Sequence, residues 1–214
     1  VYILTYMFEG QIQKYYFDLF GIKYIFRSIK KVGNCYNLVG KQDRENLSEI
    51  AKLLRIYEGK LNDIGIGEYT LSVSYHQKLK KQPEMAKQIK NNIYNYFMHI
   101  CKSKSEKNMW TSFKETQNVL KGKGYTKGFI PCNSRATNEF KDRTTMAYMV
   151  NRFTNPYIKQ FFISHGVEIN EEKIALSELV QWIFRSAIRD GKEVNIYIPS
   201  ERMRGLLKGW LDSN

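Results

Sequence analysis

Gln181, Arg185 and Arg189 recur at intervals of four residues in a segment whose apolar positions, Leu176, Leu179, Val180, Ile183 and Ala187, keep helical spacing. Residues four apart on a helix lie about 40° apart around its axis, so these side chains, extended backward by Ser177, form one polar stripe. Two guanidiniums are then aimed at the same place. A solvated helix face usually mixes Glu with Lys, and this one has no acid between Glu178 and Asp190. The pattern therefore favours an anion site over simple solvation.

Three further groups offer chemistry. Pro131, Cys132, Asn133, Ser134, Arg135, Ala136, Thr137 and Asn138 follow an apolar stretch that reads as a buried strand. Ligands of parallel α/β sheets gather beyond the carboxyl ends of strands, and this loop would offer hydroxyls, amides and one Arg there. Arg202 and Arg204, in Ser200-Glu201-Arg202-Met203-Arg204, stand at the start of the last helix, where phosphate could dock, although capping and solvation explain them equally well. The last group is Lys78, Lys80, Lys81, Lys87, Lys90, Lys121, Lys123 and Lys127, suited to diffuse attraction to a phosphate backbone.

Other chemistries lack their signatures. The glycines and lysines of 122–128 do not follow the order GxxxxGK[ST], so an autonomous P-loop nucleotidase is not supported. His76, His99 and His165 are too scattered to read as metal ligands, and no metal site is expected. No Ser/His/Asp or Cys/His set stands out. Cys35, Cys101 and Cys132 are odd in number and far apart, giving neither a disulfide framework nor a CxxC knuckle; a reducing cytoplasm fits best.

The elements that must position these groups alternate. Val1 to Phe8 reads as a buried strand, Gln11 to Phe20 as a helix stopped by Gly21, and Ile22 to Ile29 as the next strand, the unit from which parallel sheets are built. Cys35 to Val39 suggests a short strand. Asp43 can cap a helix to about Tyr57, and Thr70 to Tyr75 reads as a strand. Pro83 to Ile100 is helical, as is a segment from Thr111 or Ser112 to Leu120. Strands follow at Phe129 to Cys132 and Tyr148 to Phe153. Helices are expected from Asn155-Pro156 to Ser164 and from Asn170 to Gly191, then a strand at Val194 to Ile198 and a last helix opened by Pro199 and Ser200.

With 214 residues, 43% apolar and 14% aromatic, the chain suits one large α/β domain or a small domain with an insertion, and wholesale disorder is excluded. It carries 34 basic and 21 acidic side chains, net +13, which favours a polyanionic partner, nucleic acid above all. The excess is uneven: residues 1–77 and 129–214 are each +2, whereas 78–128 is +9 and basic entirely through Lys. Seven of the ten Arg lie after residue 128, which separates diffuse attraction from fixed, bidentate contacts. No apolar run approaches the roughly 18 residues of a membrane span, and no leader is evident at Val1, so neither membrane insertion nor secretion is expected. The chain starts without Met inside an apolar run, as if cut from something longer. The sum is a parallel α/β sheet interrupted by a helical, Lys-rich insertion.

On these residues the chain resembles the C-terminal RecA-like motor domain of superfamily 2 (DEAD/DEAH-like) helicases. The likeness rests on the strand and helix of Val1 to Phe20, the strand and polar loop of Phe129 to Asn138, the stretch Tyr148 to Pro156, and the Gln-led arginine helix, Gln181, Arg185 and Arg189, before the strand Val194 to Ile198. It covers roughly residues 1–40 and 129–200. The tone of GKGYTKGFIPCNSRATNEF and ALSELVQWIFRSAIRDG is similar to helicases of phages and mobile elements. The chain departs from the family at Phe184, where Gly usually precedes the first Arg, and in the four-residue interval between its arginines, where three is usual.

The resemblance implies a RecA-like core at about 1–58 and 126–214 around a basic helical insertion at about 59–125. It implies ATP and Mg²⁺ bound mainly by an N-terminal RecA-like domain of the same polypeptide, with Arg185 and Arg189 reaching across to the γ-phosphate beside Gln181. Asn133, Arg135, Thr137 and Asn138 would contact DNA or RNA or couple it to the ATP cleft. By itself the chain would have no ATPase activity. A non-enzymatic nucleic-acid-binding module working through the Lys-rich segment, and a domain binding an acidic protein partner, are the competing readings.

Overall fold

The computed structural model describes residues 1–41, 47–134 and 138–213. A 3-10 turn, Phe8–Gly10, leads into α1 (Ile12–Leu19) and a hairpin of β1 (Arg27–Val32) and β2 (Cys35–Gly40). Then come α2 (Ser48–Leu53), β3 (Leu54–Ile56), α3 (Val73–Leu79) and α4 (Pro83–Asn95). β4 (Asn108–Thr111), α5 (Gln117–Leu120) and β5 (Thr145–Tyr148) follow. The chain closes with α6 (Pro156–Ser164), α7 (Glu171–Ile183), β6 (Val194–Tyr197) and α8 (Glu201–Asp212). Among the described residues no helix is long and apolar enough to cross a membrane.

β3, β6, β5 and β4 form one parallel sheet in that order, and Phe129 adds a parallel bridge beside Trp110. Successive strand residues point to opposite faces, so a strand covered on both sides must be apolar throughout. β5 and its extension meet this condition: Met146, Tyr148 and Val150 join one core with α7 and α8, while Ala147 and Met149 join the other with α3 and α4. β6 divides in the same way, Ile196 and Ile198 against Tyr197. The result is a parallel sheet between two helical layers.

Several sequence expectations need correction. Val1 to Phe8 is not a strand: Met7 turns left-handed (φ 53°), and Gly10 lies so close to α7 that a Cβ there would run into the Lys173 carbonyl oxygen. Only Tyr6 and Met7 pack on the core formed with α7 and α8, Tyr6 edge-on to Trp210, while residues 1–5 stay exposed. The strand expected at Ile22 to Ile29 begins at Arg27 and pairs antiparallel with β2, outside the parallel sheet. The helix expected to reach Tyr57 ends at Leu53, where the chain enters β3; its expected cap, Asp43, lies outside the described residues. Thr70 to Tyr75 is no strand, because Leu71 is left-handed (φ 61°) and Ser72 caps α3 by accepting from the Tyr75 amide. The strand placed at Phe129 to Cys132 is reduced to the single bridge at Phe129, and the one placed at Tyr148 to Phe153 is observed earlier, at Thr145–Tyr148. Residues 59–125, expected as an insertion, supply edge strand β4 and the helices of the second core, so this segment is woven into the layers. β4 escaped the sequence reading because its four residues follow a Lys/Ser-rich stretch and carry no alternation.

Candidate functional site

Asn170 starts α7 by accepting the Lys173 amide on its side chain (2.8 Å), and Glu171 and Glu172 occupy the favourable first turn. The helix does not run to Gly191. At Ser186 the backbone is extended (φ −84°, ψ −172°), and its hydroxyl donates back to the Ile183 carbonyl (2.7 Å). Residues 187–190 then form a 3-10 turn. Arg185 and Arg189 therefore do not share one α-helical stripe, a correction to the spacing argument.

They nevertheless reach the same loop. Half-buried Arg185 donates from Nη2 to the Ser134 carbonyl (3.2 Å), and exposed Arg189 donates from Nη1 to Asn138 Oδ1 (2.7 Å). Exposed Asn133 stands beside Ser134, whereas Arg135 and Thr137 lie outside the described residues. Gln181 is engaged elsewhere: its amide donates to the Tyr6 carbonyl (3.3 Å) and to Ser177 Oγ (3.0 Å), fastening the N-terminal segment to α7. The cluster also sits differently from expectation. The loop leaves the carboxyl end of the Phe129 bridge but must return to the start of β5, and the Ala187 amide bonds the Arg143 carbonyl there (2.9 Å). Arg189 and Asn138 accordingly meet on the amino-end side of the sheet.

The carboxyl end is occupied by a network that sequence reasoning missed. Buried Asn151, just past β5, donates to the carbonyls of Glu68 (2.8 Å) and Thr70 (3.1 Å) and accepts from Arg202 Nη1 (3.2 Å). Arg202 also bonds the Arg152 carbonyl (2.8 Å) and lies over the Phe153 ring, 4.4 Å from its centroid. Arg204 donates to the carbonyls of Ile198 (2.8 Å) and Pro199 (2.9 Å) and pairs with Glu58. Both arginines at the start of α8 thus tie strand ends together. Arg152 pairs through two nitrogens with Glu178 of α7 (2.5 and 3.2 Å). Buried His76 ties α3 to the residue before α5 and the residue after β5: Nε2 donates to the Met149 carbonyl (2.9 Å), leaving Nδ1 to accept from the Thr116 hydroxyl (2.7 Å). Burial lowers its pKa to about 4, so the ring is neutral. Only the residue types were visible beforehand, since partners distant in sequence leave no local pattern.

The lysines divide into two sets. Lys80, Lys87 and Lys90 line one groove floored by Leu79, Ala86 and Val119, with Lys78 and Lys81 at the nearby end of α3. Lys121, Lys123 and Lys127 are exposed in the loop after α5, which packs on α4. Among the described residues no group of three His, Cys, Asp or Glu is placed to hold a metal ion.

A parallel sheet with helices on both faces defines a Rossmann-like α/β domain. The chain belongs to the family of the YonV C-terminal Rossmann-like domain, whose model matches residues 48–211. It is 47% identical over 216 residues to the SPbeta prophage-derived protein YonV of Bacillus subtilis (strain 168), an alignment covering all of this chain and 52% of that protein. The chain therefore spans about half the length of this curated relative. No solved structure matches it.

Proposed function

We infer that this domain is the C-terminal motor half of a helicase-type, nucleic-acid-dependent ATPase. The observation that carries the reading is the meeting of Arg185 and Arg189 with the 131–138 loop: two features far apart in sequence, both singled out by the helicase resemblance, converge on one surface. The prophage kinship and the length of YonV beyond this domain support the reading, because a two-lobed motor needs a second half to carry the P-loop and Mg²⁺.

On this reading ATP is a substrate held mainly by the other half. Closure brings the guanidiniums to the γ-phosphate, where fixed positive charge stabilises the transition state for transfer. Ser134 and Asn138 hold the two arginines beside the loop before closure. Nucleic acid contacting that loop would compete for the Asn138 amide and change the freedom of Arg189, which couples the two ligands.

The test is steady-state ATP turnover in the polypeptide carrying both halves. Arg185→Ala should retain the fold and nucleic-acid affinity while lowering stimulated turnover by roughly 10³-fold or more. Near-normal turnover overturns the reading. The groove of Lys80, Lys87 and Lys90 favours a second reading, a module that binds nucleic acid without performing chemistry.

A further inference from the structure

Thirteen of the twenty-one exposed large apolar side chains among the described residues lie within residues 1–38. Four of the thirteen, Ile29, Val32, Tyr36 and Leu38, lie on the β1–β2 ribbon. Its register sets Ile29 opposite Leu38, and Tyr36 lies two residues from Leu38, so all three share one face. They are 56%, 60% and 70% exposed in the order Ile29, Leu38, Tyr36. Phe26, directly before β1, belongs to an aromatic cluster in which Phe8 meets Tyr24 at 5.3 Å and Phe26 at 5.8 Å. A two-stranded ribbon with both faces in water is marginal alone, and a large apolar patch on a soluble domain marks a contact surface.

Similarity to YonV indicates its occupant. The family domain starts at residue 48, so the patch lies wholly outside it, whereas similarity to YonV continues through residues 1–47. YonV is about twice as long as this chain, and its family domain is described as C-terminal. We propose that the apolar face centred on Ile29, Tyr36 and Leu38 is the docking surface for the half of a YonV-type polypeptide that precedes the Rossmann-like domain. Exposed Lys23, Arg27 and Lys30 lie in the same segment, so the facing surface is apolar at its centre and acidic at its edge. The proposal concerns assembly and holds or fails independently of the motor reading.

The probe is the separately expressed portion of YonV that lies N-terminal to its region of match, mixed with the 214-residue chain. Titration calorimetry should find a one-to-one complex, and hydrogen exchange should slow across residues 27–40. Ile29→Asp and Leu38→Asp should each weaken association at least roughly ten-fold, while Asp212→Ser leaves it unchanged. If either hairpin variant melts early, hydrogen exchange on the unaltered proteins decides. No complex, or a complex in which residues 27–40 exchange as fast as in the free chain, overturns the proposal. Self-association of the unaltered chain that both substitutions abolish also overturns it, assigning the face to a second copy.

Discussion

Arg189 and Asn138 are both exposed, so the 2.7 Å hydrogen bond between them contributes little to folding and is available to respond to a ligand. If the domain is the motor half proposed above, Asn138→Ala in the polypeptide carrying both halves should leave the melting temperature within about a degree or two and basal ATP turnover nearly intact. The ratio of nucleic-acid-stimulated to basal turnover should fall by about an order of magnitude if the bond transmits occupancy of the loop. Equal ratios in the two proteins would show that the loop only supports Arg189. His76 governs a different observable. Its neutral ring is fully compatible with the fold above pH 6.5; as pH falls toward about 4, the unfolded histidine takes a proton that the buried one refuses. Stability should therefore decline across that window by up to roughly 3 kcal/mol on this account. His76→Gln should be less stable at about pH 7.5 but lose less on acidification, as read from urea midpoints there and at about pH 4.5.

Among the elements, the segment 60–65 is held to the end of β6 with no space between them. A Cβ on Gly65 would overlap the Pro199 carbonyl, a contact that only backbone movement could relieve. Gly65→Ala should cost roughly 2 kcal/mol or more, visible as a lower urea midpoint with an unchanged slope. The sequence announced the helices with caps and a one-sided apolar stripe: α6, α8 and the start of α7 were legible from Asn155, Ser200 and Asn170. β6 was legible as an apolar run. Val1 to Phe8 is also an apolar run, yet only Tyr6 and Met7 pack on the core, against helices rather than a strand, and residues 1–5 stay exposed, so an apolar run by itself specifies neither burial nor a neighbour. α7 ends at Ile183 in a turn where the Ser186 amide and hydroxyl both bond back to the Ile183 carbonyl, which no periodicity reveals. The site was half legible for the same reason: charge and spacing marked Arg185 and Arg189, and the polar loop marked Ser134 and Asn138, whereas which arginine meets which loop residue is fixed by chain path.

For the whole molecule, the proposed nucleic-acid-binding role, taken with the charge distribution, predicts binding that falls steeply with salt. Replacing Lys80, Lys87 and Lys90 together by Glu should lower affinity for single- or double-stranded nucleic acid and flatten log affinity against log salt by about two to three units. An unchanged slope in an anisotropy titration would remove their groove from the binding surface. The order of the sheet has a separate consequence for how the protein comes into being. β6 lies between β3 and β5 but follows both, and is the last of the described strands in sequence. While the chain emerges from the ribosome, β3 has no hydrogen-bonding neighbour, and β4 with β5 forms only a fragment with an open edge. The sheet can be joined only after residues 194–197 have been made and released from the exit tunnel, and a chain that stops before them leaves β3 unpaired and β5 with an open edge in need of protection.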